Sequence, residues 1–341
     1  MPFNKSPQSN FSPQRHWLLL STTAAVSGKN YQERPRRPLA KRRLNIFMHI
    51  FTPTQLRAHA SKHHPSLWMV LLALVILVAS QAPLAQPTVA LTFDDGFSTG
   101  PGETQEASDN NAILTTLKKN GVRAMLFPLG ATVDNPDNMA LIKAWSKGGH
   151  AIGNHTYSHN ALSKTEAQHY LADIDRAGLL LSHIPGWCPR LRFPYLDEGD
   201  TPTKQIAVRA GLAQRGYGVA PATIMLNDWD TSTGYTELLN QGRDAEAQTY
   251  LNTYVNTVTT EALTQEVRWH DILKRSPPHV MLLHTNRLNA VALPQIIAAL
   301  RQRGWSFIDP VVALTDPIYQ RELGQTLPGQ DRTALPVPNC R

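Results

Sequence analysis

Cysteine is scarce: the 341 residues hold two, Cys188 and Cys340. Neither stands beside histidines that would mark an activated thiolate or a cysteine-ligated zinc. In an exported protein the two could form one disulfide tying the C-terminal tail to the body, but nothing in the sequence fixes their separation and the pairing stays open. Long apolar runs are also missing. Residues 67–79 form an uninterrupted apolar stretch of 13, short of the roughly 20 residues a spanning helix needs. No internal repeat is visible, which argues against solenoid and propeller arrays. The body lacks an excess of positive charge as well. Eleven of the 33 Lys and Arg, but one of the 26 acids, fall within residues 1–66, leaving 22 against 25 downstream, a balance of −3. The net charge of +7 therefore belongs to the leader, and the body offers no electrostatic case and no basic-aromatic module for nucleic acid.

The leader has its own logic. Basic residues precede the apolar stretch, and Ser80-Gln81-Ala82-Pro83-Leu84-Ala85 follows it with small side chains. Positive charge, a short apolar run and small residues in that order describe a secretory signal or, if uncleaved, an anchor. We expect residues 1–86 to be leader, with Met48 the more natural start and 1–47 a Pro/Arg/Ser-rich extension that packs no core. On this reading the protein is exported, periplasmic or extracellular, and touches a membrane only through that segment.

What remains, with 42% hydrophobic content over the chain, can bury a sizeable core. Strand-like and helix-like segments alternate through it. Strands are expected at 88–93, 122–127, 150–154, 191–195, 219–226 (broken by Pro221), 280–283 and 305–308. Helices are expected at 110–120, 136–147, 164–183, 202–215 and 290–303, with a mostly helical region across 238–274 read as two helices around the β-branched run Thr257-Val258-Thr259-Thr260. Alternation of this kind builds α/β units around a parallel sheet. About seven such units in about 230 residues point to a barrel rather than an open sheet. We place the catalytic domain at 87–325 and a loop-like tail at 326–341.

The polar residues that interrupt this pattern gather at strand ends, where parallel α/β folds hold their chemistry. Thr92-Phe93-Asp94-Asp95-Gly96 closes the first strand, and His155-Thr156-Tyr157-Ser158-His159 follows the third. Two imidazoles four residues apart can face one way on a helical turn, and a carboxylate completes a hydrolytic metal set. The second Asp is then free to act as a base. Each half alone has a bland explanation, an Asp-Gly turn in one case and surface histidines in the other. So do Arg192 as an ion-pair partner, Trp229 as core and His284 as a satisfied histidine. Their order along the chain is harder to obtain by accident.

That order resembles the polysaccharide deacetylases, carbohydrate esterase family 4 with the NodB-homology domain, over roughly residues 87–315. The first two motifs carry most of the likeness, with Arg192-Phe193-Pro194-Tyr195, Asp228-Trp229 and Leu282-Leu283-His284 behind them. The resemblance implies a distorted (β/α) barrel of seven strands and a divalent metal held by Asp95, His155 and His159. Zinc is the default, with cobalt, nickel and manganese also suited to such ligands. Asp94 would be the general base, oriented by Arg192. His284 would be the general acid, supported by Asp228. The backbone N–H of Tyr195 would meet the oxyanion, and Tyr195 and Trp229 would bind substrate. The implied activity is removal of acetyl groups from N-acetylated sugars of a polysaccharide.

Two alternatives stay open: an O-acetyl esterase using the same site, and a catalytically silent carbohydrate-binding protein. Departures from the family pattern bear on the substrate. A Gly/Pro loop, 97–102, replaces the proline often found after the first motif, the second strand ends Leu126-Phe127-Pro128, and 235–276 is long. Chitin oligosaccharides, peptidoglycan, a secreted polysaccharide and acetylated xylan all fit.

Overall fold

The computed structural model describes residues 86–96, 103–320, 338 and 340. The expected signal or anchor at 67–79, the proposed start at Met48 and the 97–102 loop lie outside them. Among the described residues no helix is long and apolar enough to cross a membrane.

The centre of the sheet is β1, Thr88–Asp95, whose residues are buried on both faces except at the two ends. A strand flanked on both edges and covered on both sides reads as a continuous apolar run. Its neighbours are β2 (Ala124–Pro128) and β7 (Pro278–His284), both parallel to it. Outward on one side come β3 (Ala151–Asn154), β4 (Trp187–Leu191) and β5 (Gly218–Val219). On the other comes β6 (Ile224–Met225), while β8 (Ser306–Phe307) pairs with the start of β1. All recorded ladders are parallel, and among the described residues none joins β5 to β6. The result is the expected distorted barrel, seven strands around an incomplete wall with β8 set beside β1 off that path.

The connecting helices are α1 (Glu103–Asn120), α2 (Pro136–Lys147), α3 (Ala167–Leu181), α4 (Pro202–Gln214), α5 (Asp228–Asn240), α6 (Asp244–Leu273) and α7 (Arg287–Gln302). Local signals explain α2 well. Asn135 caps it by accepting from the Asn138 N–H, Pro136 opens it, and Gly149 at φ 80° leaves it, as capping chemistry requires.

Strand parity sorts the core into two. Val89, Leu91 and Phe93 face the helices with Ile113, Trp145, Ile152 and Leu283, while Ala90 joins Met125, Phe127, Cys188 and Leu282 inside the barrel. Because side chains alternate, Thr92 and Asp94 inherit the inner face of β1, and Arg190 and Arg192 follow Cys188 along the inner side of the fourth unit. The disulfide Cys188–Cys340 ties the chain's end to this interior.

Three expectations need correction. The fourth strand ends at Leu191, and Pro194–Leu196 is a tight turn with Tyr195 and Leu196 left-handed at φ 59° and 53°. The run 219–226 is two two-residue strands, since Pro221 has no N–H for a ladder. The β-branched stretch Thr257-Val258-Thr259-Thr260 does not divide the long helical region, and the break falls at Gln241–Arg243 instead. Val258 and Thr259 are buried, and the Thr257 and Thr259 hydroxyls bond the carbonyls of Thr253 and Val255 at 3.0 and 3.1 Å. Packing and satisfied hydroxyls outweigh the modest helix penalty of branching.

Candidate active site

All the residues singled out in the sequence meet at the carboxyl ends of the strands. Asp94 pairs in register with His284 across β1 and β7. Asp94 is buried and bound by Arg192, whose Nη1 lies 3.2 and 3.1 Å from its two carboxylate oxygens. Arg192 is itself fully buried. It spends its other donors on the Thr92 hydroxyl at 3.0 Å and the Ala220 carbonyl, and its guanidinium lies over the Phe127 ring. Burial pulls the Arg192 pKa down while Asp94 pulls it up. A buried guanidinium so fully engaged has one orientation, and it transmits that orientation to Asp94.

Asp95 leaves the strand at φ 69°. Its backbone is pinned by Leu129 N–H donating to its carbonyl at 2.8 Å, and Thr285 Oγ1 donates to the next carbonyl, that of Gly96. The side chain turns to the histidines: Oδ1 is 3.2 Å from Nε2 of His155 and 3.2 Å from Nε2 of His159. Burial acts to raise the Asp95 pKa; in the absence of a cation and with their rings protonated, His155 and His159, with His284 behind them, hold it well below the ordinary carboxylate range.

The histidines are not on a helical turn, contrary to expectation. They bracket a loop in which Thr156 and His159 are left-handed at φ 66° and 57°. The loop is held by Asn154 Oδ1 accepting from Thr156 N–H and by Thr156 Oγ1 accepting from His159 N–H. Asp173 on α3 takes the N–H groups of Tyr157 and Ser158 and the Ser158 hydroxyl. Asp173 was not legible in the sequence, since it lies a helix away.

The donor set fits a cation. Three atoms from Asp95, His155 and His159 lie within 4.8 Å of one another. His155 Nδ1 sits 2.8 Å from the Arg192 carbonyl, which can only accept, so Nδ1 carries the hydrogen and Nε2 turns its lone pair to Asp95. Asp95 Oδ1 is buried without a hydrogen-bond donor. Lone pairs converging on an orphaned carboxylate oxygen repel one another unless a positive charge sits among them. His159 Nδ1 meets the Tyr195 hydroxyl at 3.2 Å.

His284 faces this set, with Nε2 3.8 Å from Asp95 Oδ2. Its Nδ1 lies 2.6 Å from Asp228 Oδ1, and its backbone N–H donates to Asp228 Oδ2 at 2.7 Å. Burial alone would lower the His284 pKa, but the Asp228 carboxylate, helped by Asp94 and Asp95, carries it up to about 9. Asp228 does not trail a strand as a free loop residue; it starts α5 and is fully buried. Trp229 is no core residue: it is 52% exposed, its ring edge-on to His284 at 5.3 Å. Tyr195 is 62% exposed on the other side, its ring 4.7 Å from that of His159. Asn289, Asn286 and Tyr254 also belong to the site and were missed. Only their sequence closeness to His284, for the two asparagines, could have signalled them.

Such an arrangement can polarise a carbonyl, accept a proton at Asp94 and deliver one from His284. Residues 81–214 match the family model described as polysaccharide deacetylase. A peptidoglycan-N-acetylglucosamine deacetylase of Bacillus cereus is 35% identical over 118 residues, 34% of this chain and 39% of that one. A chitin deacetylase of Arthroderma benhamiae is 30% identical over 190 residues, 53% of this chain and 47% of that one. The chain thus spans less than half the length of either. Among solved structures, the Xyl-CE4 domain of a multidomain xylanase from the hindgut metagenome of Trinervitermes trinervoides is 20% identical, with 67% of this chain and 90% of that one covered and a TM-score of 0.48.

Proposed function

We propose that the chain is a member of the polysaccharide deacetylase family, whose model matches residues 81–214, and that it is a metal-dependent hydrolase removing acetyl groups from the N-acetylated sugars of a polysaccharide. One observation carries the reading: a three-atom metal donor set shares one barrel mouth with two separately braced proton-transfer groups, Asp94 on Arg192 and His284 on Asp228.

In this proposal Asp95, His155 and His159 hold the metal, zinc by default. When bound, it supplies a Lewis acid that polarises the acetyl carbonyl and makes water acidic. Asp94 accepts the proton of the attacking water, and Arg192 keeps its carboxylate aimed. The charge developing on the carbonyl oxygen is met by the backbone N–H of Tyr195. An amine departs poorly as an anion, so His284 passes it a proton from Nε2. Asp228, bonded to Nδ1, stabilises the imidazolium beforehand. Trp229 and Tyr195 present exposed aromatic faces on which sugar rings can rest.

Peptidoglycan, chitin-like and exopolysaccharide chains are the proposed substrates. We place the catalytic domain at 87–325 behind a leader, 1–86, that exports or anchors it. The test is acetate release from a panel of N- and O-acetylated glycans, with and without chelator. Release from N-acetyl sugars that stops with chelator and returns with metal is the expected result. Release from acetylated xylan alone would make the protein an O-acetyl esterase, and none from any substrate a silent binder.

A further inference from the structure

The support behind His284 extends well past Asp228. A fully buried carboxylate needs donors on its lone pairs. Asp228 finds them at His284 Nδ1 and N–H, at Asn286 Nδ2 (3.4 Å) and at Asn289 Nδ2. Asn289, in the first turn of α7, is completely buried. Its two amide hydrogens are both used, one on Asp228 Oδ2 and one on the His284 carbonyl at 2.9 Å. Its own carbonyl accepts the Tyr254 hydroxyl at 2.7 Å. Turned the other way, that carbonyl would face two acceptors and its amide nitrogen a hydroxyl, so the network determines which end is which. Tyr254 comes from α6, which packs against α7, and is buried too.

We propose that Asn289, oriented by Tyr254, is a positioning residue that holds the Asp228 carboxylate against His284 so that Nε2 stays turned towards the leaving group. His284's part in this rests on the deacetylase reading; the hydrogen-bonded relay stands on the geometry alone. The relay makes α6 part of the site at second hand. Without Asn289, the Asp228 carboxylate loses a donor on Oδ2 and can turn about its terminal torsion, which is broad. The imidazole it carries then loses its aim.

The test uses zinc-loaded full-length protein and three variants: Asn289→Ala, Tyr254→Phe and both together. NMR at one fixed pH follows the hydrogen-bonded Nδ1 proton of His284. We expect it to be weakened by Tyr254→Phe and lost in Asn289→Ala. In parallel, Asn289→Ala should lower kcat on an N-acetylglucosamine oligomer by about 10–100-fold, the usual range for an outer-shell partner, with KM little changed. The loss on para-nitrophenyl acetate should be several-fold smaller, because a nitrophenolate leaves without a proton. The double variant should be no slower than Asn289→Ala, since Tyr254 acts only through Asn289. Equal losses on both substrates, multiplying effects, or an unmoved proton resonance would overturn the proposal. Should Asn289→Ala not fold, Tyr254→Phe decides, because it deletes a single hydroxyl: a shift in both readouts supports the relay and no shift refutes it. If the resonance responds as expected while wild-type protein releases no acetate from the oligomer, the relay stands and the deacetylase reading falls.

Discussion

Two adjacent aspartates at the end of β1 have different fates because one points into the barrel and the other turns out of the strand. Asp94 is buried against Arg192, whereas Asp95 adopts φ 69° and faces the imidazoles. Asp94→Asn should therefore keep its metal and its shape and lose the proton acceptor, with kcat down about 10²–10⁴-fold; acetate release beside elemental analysis checks it. Asp95→Ala, His155→Ala and His159→Ala should each lose the metal, and unchanged metal content in all three would refute the ligand set. A third histidine reports on stability instead. His150 Nδ1 accepts the Ala124 N–H at 3.1 Å, and burial, with Arg123 adding, pushes its pKa down to about 4. The unfolded chain protonates that ring near 6.5, so between these values the unfolded state binds the extra proton. The stability tied to neutral His150 is present above about pH 6.5 and drains away as pH falls towards 4. His150→Gln should remove about 2 kcal/mol of the loss seen between about pH 7 and about pH 5, read from urea unfolding at each pH.

Elements matter here for where they end. β3 stops at Asn154 and delivers His155, and it can lie close to β2 because Gly153 has no side chain. A Cβ at 153 would come within 2.4 and 2.5 Å of Phe127 ring carbons. Phe127 also carries the Arg192 guanidinium on its face, so it has little room to yield. Gly153→Ala should cost about 1–3 kcal/mol, as overpacking does, and weaken metal affinity by moving His155. Thermal unfolding and a metal titration together test this, and an unchanged Tm would sink it. The correction at α6 carries the complementary lesson. A branched run that reads as a break becomes mid-helix when one face of it, Val258 and Thr259, is buried against the rest of the domain.

At the scale of the whole molecule, the disulfide joins positions 152 residues apart. Closing so long a loop restricts the unfolded chain, and Cys188→Ala with Cys340→Ala should lower stability by up to about 4–5 kcal/mol in the chain-entropy account. Denaturant titrations of the oxidised protein and the double variant supply the comparison. The same bond favours an oxidising compartment, in keeping with the proposed export. Fusing residues 48–90 to a reporter active only outside the cytoplasm should give signal, and a silent fusion retained inside would refute that placement.

The sequence by itself determined the order of strands and helices, the parallel α/β class and the identity of the polar residues at strand ends. Period-2 and period-3.6 patterning, Gly and Pro punctuation and the Asp-Asp-Gly and His-x-x-x-His motifs are local signals, and residues 88–93, 136–147 and 280–283 needed nothing more. The tertiary structure decided what depends on distant partners. It bent the His155–His159 loop around Asp173, turned Tyr195 left-handed and kept α6 whole. It also buried Asp228, so that a carboxylate needing donors gathered Asn286 and Asn289 from the start of α7, with Tyr254 of α6 behind Asn289. None of these partners lies within a helical turn of the group it serves, and spacing rules carry no information about contacts that only folding creates.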